Sequence, residues 1–239
     1  MTINLSEFSP AYPVLADKAE TRTDPARFGQ EIRLPRRPGF YRNFLKRAFD
    51  LAAIVLAVPV VLPIVAGLAI AVAFDGGSPF YSQLRIGRNG RRFRMWKLRS
   101  MVTDADARMV EHLDANPGAR QEWDSTQKLR DDPRITRFGH LLRRSSLDEL
   151  PQLFNVLTGD MSLVGPRPMM TSQQSIYPGE AYYALRPGIT GYWQTAGRNR
   201  TTFGARAEYD TAYDAELSLL TDAKILGRTV GVVLNGTGC

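Results

Sequence analysis

The chain has one cysteine, Cys239 at its last position, and two histidines, His112 and His140, in 239 residues. A single thiol cannot close an internal disulfide, and a Cys-built metal site is excluded with it. Two histidines are too few for a His-rich site. The scarcity of cysteine suits a reducing compartment. Internal repeats and low-complexity tracts are missing, which argues against repeat architectures. Acids are outnumbered, 24 Asp and Glu against 31 Lys and Arg, for a net charge of +7. That excess draws polyanions, whether nucleic acid, anionic headgroups or phosphorylated substrates. Nucleic acid is disfavoured, because the basic residues interleave with prolines and acids instead of lining one helix, and no nucleic-acid-binding motif occurs.

The apolar residues are unevenly spread. Leu51 to Phe74 reads LAAIVLAVPVVLPIVAGLAIAVAF without one charge, long enough as a helix to cross a hydrocarbon core of roughly 30 Å. About fifty residues precede it and no small-residue cleavage site follows, so it does not read as a signal peptide. Basic residues flank both ends: Arg33, Arg36, Arg37, Arg42, Lys46 and Arg47 before, Arg85, Arg88, Arg91, Arg92 and Arg94 after. The positive-inside rule therefore asks for both flanks on the cytoplasmic side, which one crossing cannot satisfy. Pro59 and Pro63 each remove a backbone donor and clash with the preceding turn. A helix that enters, bends there and returns meets the charge rule, and the spacing favours this re-entrant form over a plain crossing.

Residues 1–40, with five prolines and no apolar period, read as a disordered tail; 41–75 form the membrane segment; 76–239 form the remaining domain. Two period-2 runs, Phe80–Ile86 and Phe93–Leu98, flank Asn89-Gly90, a hairpin signature because both turn positions favour positive φ. A helix-permissive stretch follows from Thr103 to Lys128, broken at Pro117-Gly118. Amphipathic helices are expected over 135–144 and, as a pair, over 202–234. The fold class is mainly α with a small β-hairpin, a re-entrant proline-kinked helix, and amphipathic helices at the membrane interface.

The chemistry concentrates around Asp148-Glu149. Ser146 with Glu149 three residues later, ahead of an apolar run, spells a capping box, on which reading both acids serve the helix. The alternative is catalytic: a helix N-terminus favours phosphate and lowers a carboxylate's pKa. An ionised Asp there can attack phosphorus, and a neighbouring Glu can hold a cation or handle a proton. Arg143 and Arg144 stand just upstream. Gly165-Pro166-Arg167-Pro168 holds one guanidinium between two prolines, stiff enough for bidentate phosphate binding. Arg186-Pro187-Gly188 through Gln194, with Gly197-Arg198-Asn199-Arg200, mixes glycine, aromatic and basic residues, which suits a nucleotide or a structured loop.

Taken with Lys46-Arg47-Ala48-Phe49-Asp50, Arg85-Ile86-Gly87, Lys97-Leu98-Arg99-Ser100-Met101, Ser146 to Leu153, Gly159 to Pro168 and Arg186 to Gly191, these segments resemble the bacterial sugar transferase family. These are the monotopic polyprenol-phosphate phosphoglycosyl transferases, and the likeness is greatest to the short exopolysaccharide-production members. The match runs in register over residues 46–239. It implies transfer of a sugar-1-phosphate from a UDP-sugar to undecaprenyl phosphate at the bacterial inner membrane, on the cytoplasmic face. Asp148 is then the nucleophile and Glu149 its partner, with Mg²⁺ as cofactor held by Asp148 and Glu149. Candidate substrate-binding residues are Lys97, Arg99, Arg143, Arg167, Arg186, Gln194 and Arg198. Anionic membrane lipid is an expected partner, nucleic acid is not, and a homodimer is left open. Pro63 matches the family's helix-bending proline, while Leu62 stands where relatives often have Ser.

Overall fold

A computed structural model describes residues 39–74, 76–126, 129–197 and 203–234. The expected tail, 1–40, lies outside the described residues except for Gly39 and Phe40, and Arg198 lies outside them too. A short π-helical turn, Tyr41–Leu45, leads into α1, Lys46–Ala73, in which Pro59 and Pro63 both sit inside the helix. Tyr41–Ala73 is long and apolar enough to cross a membrane, and its most apolar stretch is almost wholly unburied.

Strands β1, Phe80–Ile86, and β2, Arg92–Leu98, pair antiparallel with Phe80 opposite Leu98 and Ile86 opposite Arg92. The turn signal was sound: Asn89 and Gly90 take φ of 59° and 77°. The connection is longer than a two-residue turn, because Gly87 and Arg91 also stay outside the ladder. Helices α2, Ala105–Ala115, and α3, Pro117–Thr126, break where Pro117 opens the second, as its missing N–H allows. Helix α4, Arg137–Ser145, is capped by the Thr136 hydroxyl accepting from the Gly139 amide, 2.8 Å away. A short helix α5, Gln152–Thr158, precedes β3, Ser162–Val164, which pairs in parallel with β4, Gly188–Thr190. Between those strands lies α6, Ala181–Ala184, and the described chain ends with α7, Arg206–Glu216, and α8, Leu219–Leu234.

The two ends of α1 pack on the same domain. Ile54 shares an apolar cluster with Phe93, Met95, Val156 and Met161, while Val72 shares one with Leu98 and Leu142. Between them Val55, Leu56, Val60, Leu62 and Ile64 are exposed. Polar contacts reinforce both ends. Near the start, the fully buried Asp222 of α8 accepts hydrogen bonds from Tyr41 Oη (2.6 Å), Lys46 Nζ (2.7 Å) and Tyr213 Oη (2.7 Å). Asp50 accepts from Ser162 Oγ at 2.7 Å and from the Leu163 amide at 3.1 Å. A buried carboxylate needs such donors, because an unpaired charge in a low-dielectric interior is prohibitive. The Lys46-Arg47-Ala48-Phe49-Asp50 segment is thus the bolt that joins the apolar helix to the domain. At the far end, Arg99 donates to the carbonyl of Val72 (3.0 Å), left over at the helix C-terminus, and to that of Gly76 (3.3 Å) just beyond it.

Candidate active site

Strand alternation sets the first member of the site. Phe93 and Met95 point into the core, and Lys97 follows on the same face of β2 at the end nearest the Leu147–Glu149 turn. Helix α5 is held against that strand by Asn155, which is 1% exposed. Its amide group donates to Arg94 O (2.7 Å) and accepts from the Trp96 amide (3.0 Å), saturating the strand edge that β1 does not use. The acidic turn just before α5 is therefore held over Lys97. The ammonium lies 2.7 Å from Glu149 Oε1 and 3.5 Å from Asp148 Oδ2. The first is a hydrogen-bonded ion pair; the second is a longer electrostatic contact.

The capping box expected at Ser146 does not form. Ser146 is the left-handed residue that ends α4, with φ of 57°, and its side chain caps nothing. The reason is geometric: the acids sit in a 3₁₀ turn between two helices, and the Ser146 amide is already spent on the carbonyls of Arg143 and Leu142. Glu149 turns to Lys97 instead. The electrostatic expectation is also corrected. Asp148 is 6% exposed, and burial pushes its carboxyl above the ordinary value, with the Glu149 charge adding to the rise and Lys97 and Arg143 opposing it. Lys97 is the main influence that opposes this rise.

Other candidates separate into two groups. Lys97, Glu149, Arg167 and Gln194 line one cavity together with Arg85 and Gln152; Asp148 is not part of that lining and touches it through Lys97. Arg143 is beside Asp148, its charge acting on the carboxylate while its Nε donates to Ser100 Oγ at 2.9 Å. Arg99 and Arg186 are elsewhere. Arg99 is committed to the carbonyls at the end of α1, and Arg186 Nε donates to Gly159 O at 3.0 Å, in the turn that ends α5.

Glycines in the two motifs that looked built for phosphate have a more immediate duty. A Cβ on Gly188 would lie 2.1 Å from Gly165 N, and one on Gly165 would lie 2.3 Å from Arg186 O. The β3–β4 pair brings the two motifs backbone against backbone, and only glycine permits it. This contact carries Arg167 and Gln194 to one cavity. Arg85, Gln152, Arg206 and Asp210 escaped the reading of individual residues. Arg85 lay within a quoted motif, but its role depends on a tertiary meeting with Arg167.

The acids available to a cation are few: no cluster of three or more His, Cys, Asp or Glu suited to a metal occurs among the described residues. The pair Asp148–Glu149 supplies the one or two carboxylates that Mg²⁺ takes when water and phosphate fill the rest of its shell, so the donor chemistry fits that ion.

With this geometry in view, the comparisons with known proteins are direct. The chain is 46% identical over 198 residues, 82% of its length, to a "UDP-galactose-lipid carrier transferase" of Erwinia amylovora, of which the match covers 42%. It is 43% identical over 196 residues, 81% of its length, to the "Exopolysaccharide production protein ExoY" of Sinorhizobium fredii, covering 87% of that protein. It is 36% identical over 199 residues, 79% of its length, to the "UDP-glucose:undecaprenyl-phosphate glucose-1-phosphate transferase" of Escherichia coli, covering 40% of it. The chain therefore spans less than half the length of some curated relatives and most of the length of others. The family model described as "Bacterial sugar transferase" matches residues 41–236, from the turn before α1 to beyond the end of α8. The chain belongs to the bacterial sugar transferase family.

Proposed function

We propose that the protein transfers a sugar-1-phosphate from a UDP-sugar to undecaprenyl phosphate, an initiating membrane step of exopolysaccharide or related glycan synthesis. The observation that carries this reading is the buried Asp148 held with Glu149 on Lys97 beside the cavity of Arg167 and Gln194. The names of the relatives supply the donor and acceptor classes. Asp148 attacks the sugar-bearing phosphorus, a P–O bond to the nucleotide breaks, and UMP leaves. The acceptor phosphate then attacks the aspartyl phosphosugar and releases the carboxylate. Lys97 holds Asp148 as the anion; Arg143 offsets its charge; Arg167 meets a phosphate. Arg99 and Arg186 serve by positioning backbone. Asp148 and Glu149 would hold Mg²⁺, which would supply charge neutralisation at the diphosphate. Detergent- or nanodisc-embedded protein given Mg²⁺, undecaprenyl phosphate and a panel of UDP-sugars is expected to release UMP with at least one sugar. Release with none of them sinks the proposal.

The membrane arrangement we propose is re-entrant, at the inner membrane, with the catalytic domain on the cytoplasmic face and its basic surface toward anionic lipid. A straight helix would separate Ile54 from Val72 by about 27 Å. Yet their clusters include Met95 and Leu98, only about 10 Å apart along β2. A bend at Pro59–Pro63 reconciles the two and leaves both flanks on one side. With Cys239 replaced by Ser, Asn43→Cys and Ser78→Cys are expected to react with an impermeant maleimide from the same face of sealed vesicles. Labelling from opposite faces excludes re-entry.

A further inference from the structure

Three guanidinium groups meet beside the acidic pair. Arg85 leaves β1, Arg167 stands between its two prolines, and Arg206 opens α7. Arg85 and Arg167 line the cavity of Lys97 and Glu149. Arg167 and Arg206 line a second one, with Trp193, Phe203, Tyr177 and Asp210, so Arg167 is the wall common to both. Arg206 lies 4.2 Å from the centre of the Trp193 ring and 4.8 Å from that of Phe203, and Arg167 is 5.6 Å from the same indole.

Folding gathers these like charges and satisfies them only in part: the terminal nitrogens of Arg85 donate to Pro168 O (3.3 Å) and Gln83 Oε1 (2.6 Å), and Arg206 faces Asp210. Among the described residues, Arg85 Nε and Arg206 Nε are buried and have no hydrogen-bond partner. Burial and then the charge of Arg167 pull both Arg85 and Arg206 down to about 10. The one acid near Arg206 is a poor counter-ion. Asp210 accepts from Tyr177 Oη at 2.7 Å, and burial pushes it up to about 7. Aromatic faces hold the Arg206 plane by cation–π attraction, which orients the group while its Nε stays without a partner. An arrangement with unmet buried donors and mutual repulsion gains most from an anion with several oxygens.

We infer that Arg85, Arg167 and Arg206 form a single phosphate subsite next to the nucleophile, with Arg85 and Arg206 as binding residues in their own right. This rests on the transferase reading. The chemistry is that of a phosphate monoester or of one end of a diphosphate, and two molecules in the reaction carry it: the nucleotide and the polyprenyl phosphate.

Calorimetric titration of the full chain in nanodiscs with UMP, and separately with farnesyl phosphate, tests the subsite. Arg206→Met keeps an apolar stem on the rings while removing the charge; Arg85→Gln keeps polarity. Losing one charge-assisted contact is expected to weaken UMP binding roughly ten- to a hundredfold in each variant. Melting without ligand is expected to be unchanged or higher, since a repulsion is relieved. Weakened farnesyl phosphate binding with unchanged UMP binding assigns the subsite to the lipid phosphate. Variants that bind both ligands as the parent does overturn the inference and leave the transferase reading intact. A parent chain that binds neither ligand defeats both. Arg206→Lys, which keeps the charge, separates loss of anion binding from loss of packing: it should retain more affinity than Arg206→Met, and equal loss in the two counts against the subsite.

Discussion

Replacing Asp148 by Asn is expected to reduce UMP release by roughly 10⁴-fold or more, the scale seen when a nucleophile is removed from an otherwise intact site. The amide is isosteric and neutral, so the loss reports chemistry rather than packing. The parent enzyme, quenched during turnover with donor alone, should carry an adduct of one phosphosugar by intact mass, and the Asn variant should carry none. Full activity in the Asn variant removes Asp148 from the mechanism. Stability should move in the opposite direction. Burial raises the folded-state pKa of Asp148 above its unfolded value. Its contribution to stability is therefore fully present below the unfolded pKa and is lost as pH rises through the folded one. At neutral pH the ionised group is a net cost, and a neutral Asn should raise the melting temperature. A variant that is both inactive and more stable is what a strained catalytic acid predicts.

The second large effect is expected at Lys97. Its ammonium contacts both acids and is the leading influence that lowers the Asp148 carboxyl against burial. Lys97→Gln removes that influence, so the Asp148 pKa climbs further. Because the nucleophile works as the anion, activity falls as pH drops through this pKa, and the acid limb of the kcat profile should move toward higher pH. At neutral pH the expected loss is roughly 10²- to 10³-fold, the usual cost of deleting one preorganised electrostatic partner. Lys97→Arg keeps the charge and should keep the limb near its original place. An acid limb unmoved in Lys97→Gln means that another group sets it.

Those two expectations show where sequence reasoning reached and where it stopped. Asp148, Glu149 and Arg167 stand out because each belongs to a local pattern with a chemical meaning, Lys97 only through the family resemblance; folding brings Lys97, Glu149 and Arg167 to one cavity, with Asp148 against Lys97. The hairpin was legible because alternation and Asn89-Gly90 agree, and α4, α7 and α8 because their apolar spacing is helical. Strands β3 and β4 are three residues each, too short for any period to register. The capping box failed because Ser146 was needed as a left-handed terminator, a demand made by packing α4 against the acidic turn. Asn155 was invisible for a related reason: its partners are backbone atoms of a strand some sixty positions earlier. Arg99 enters through the family resemblance, and its contacts to the Val72 and Gly76 carbonyls depend on tertiary packing that no local pattern announces.

The Asp222 hub has a consequence for how the anchor is regarded. Its three donors come from the turn before the apolar helix, from the helix's first residue and from α7, and they converge on one carboxylate of α8. Anchor and enzyme are consequently not interchangeable modules. A foreign hydrophobic helix that replaced the chain from residue 41 onward would discard Tyr41 and Lys46 and strand a buried anion, Asp222, in α8. A splice placed after Ile54 would spare them. The boundary between the part that holds the lipid bilayer and the part that performs chemistry therefore runs through the helix, about two turns in from its start.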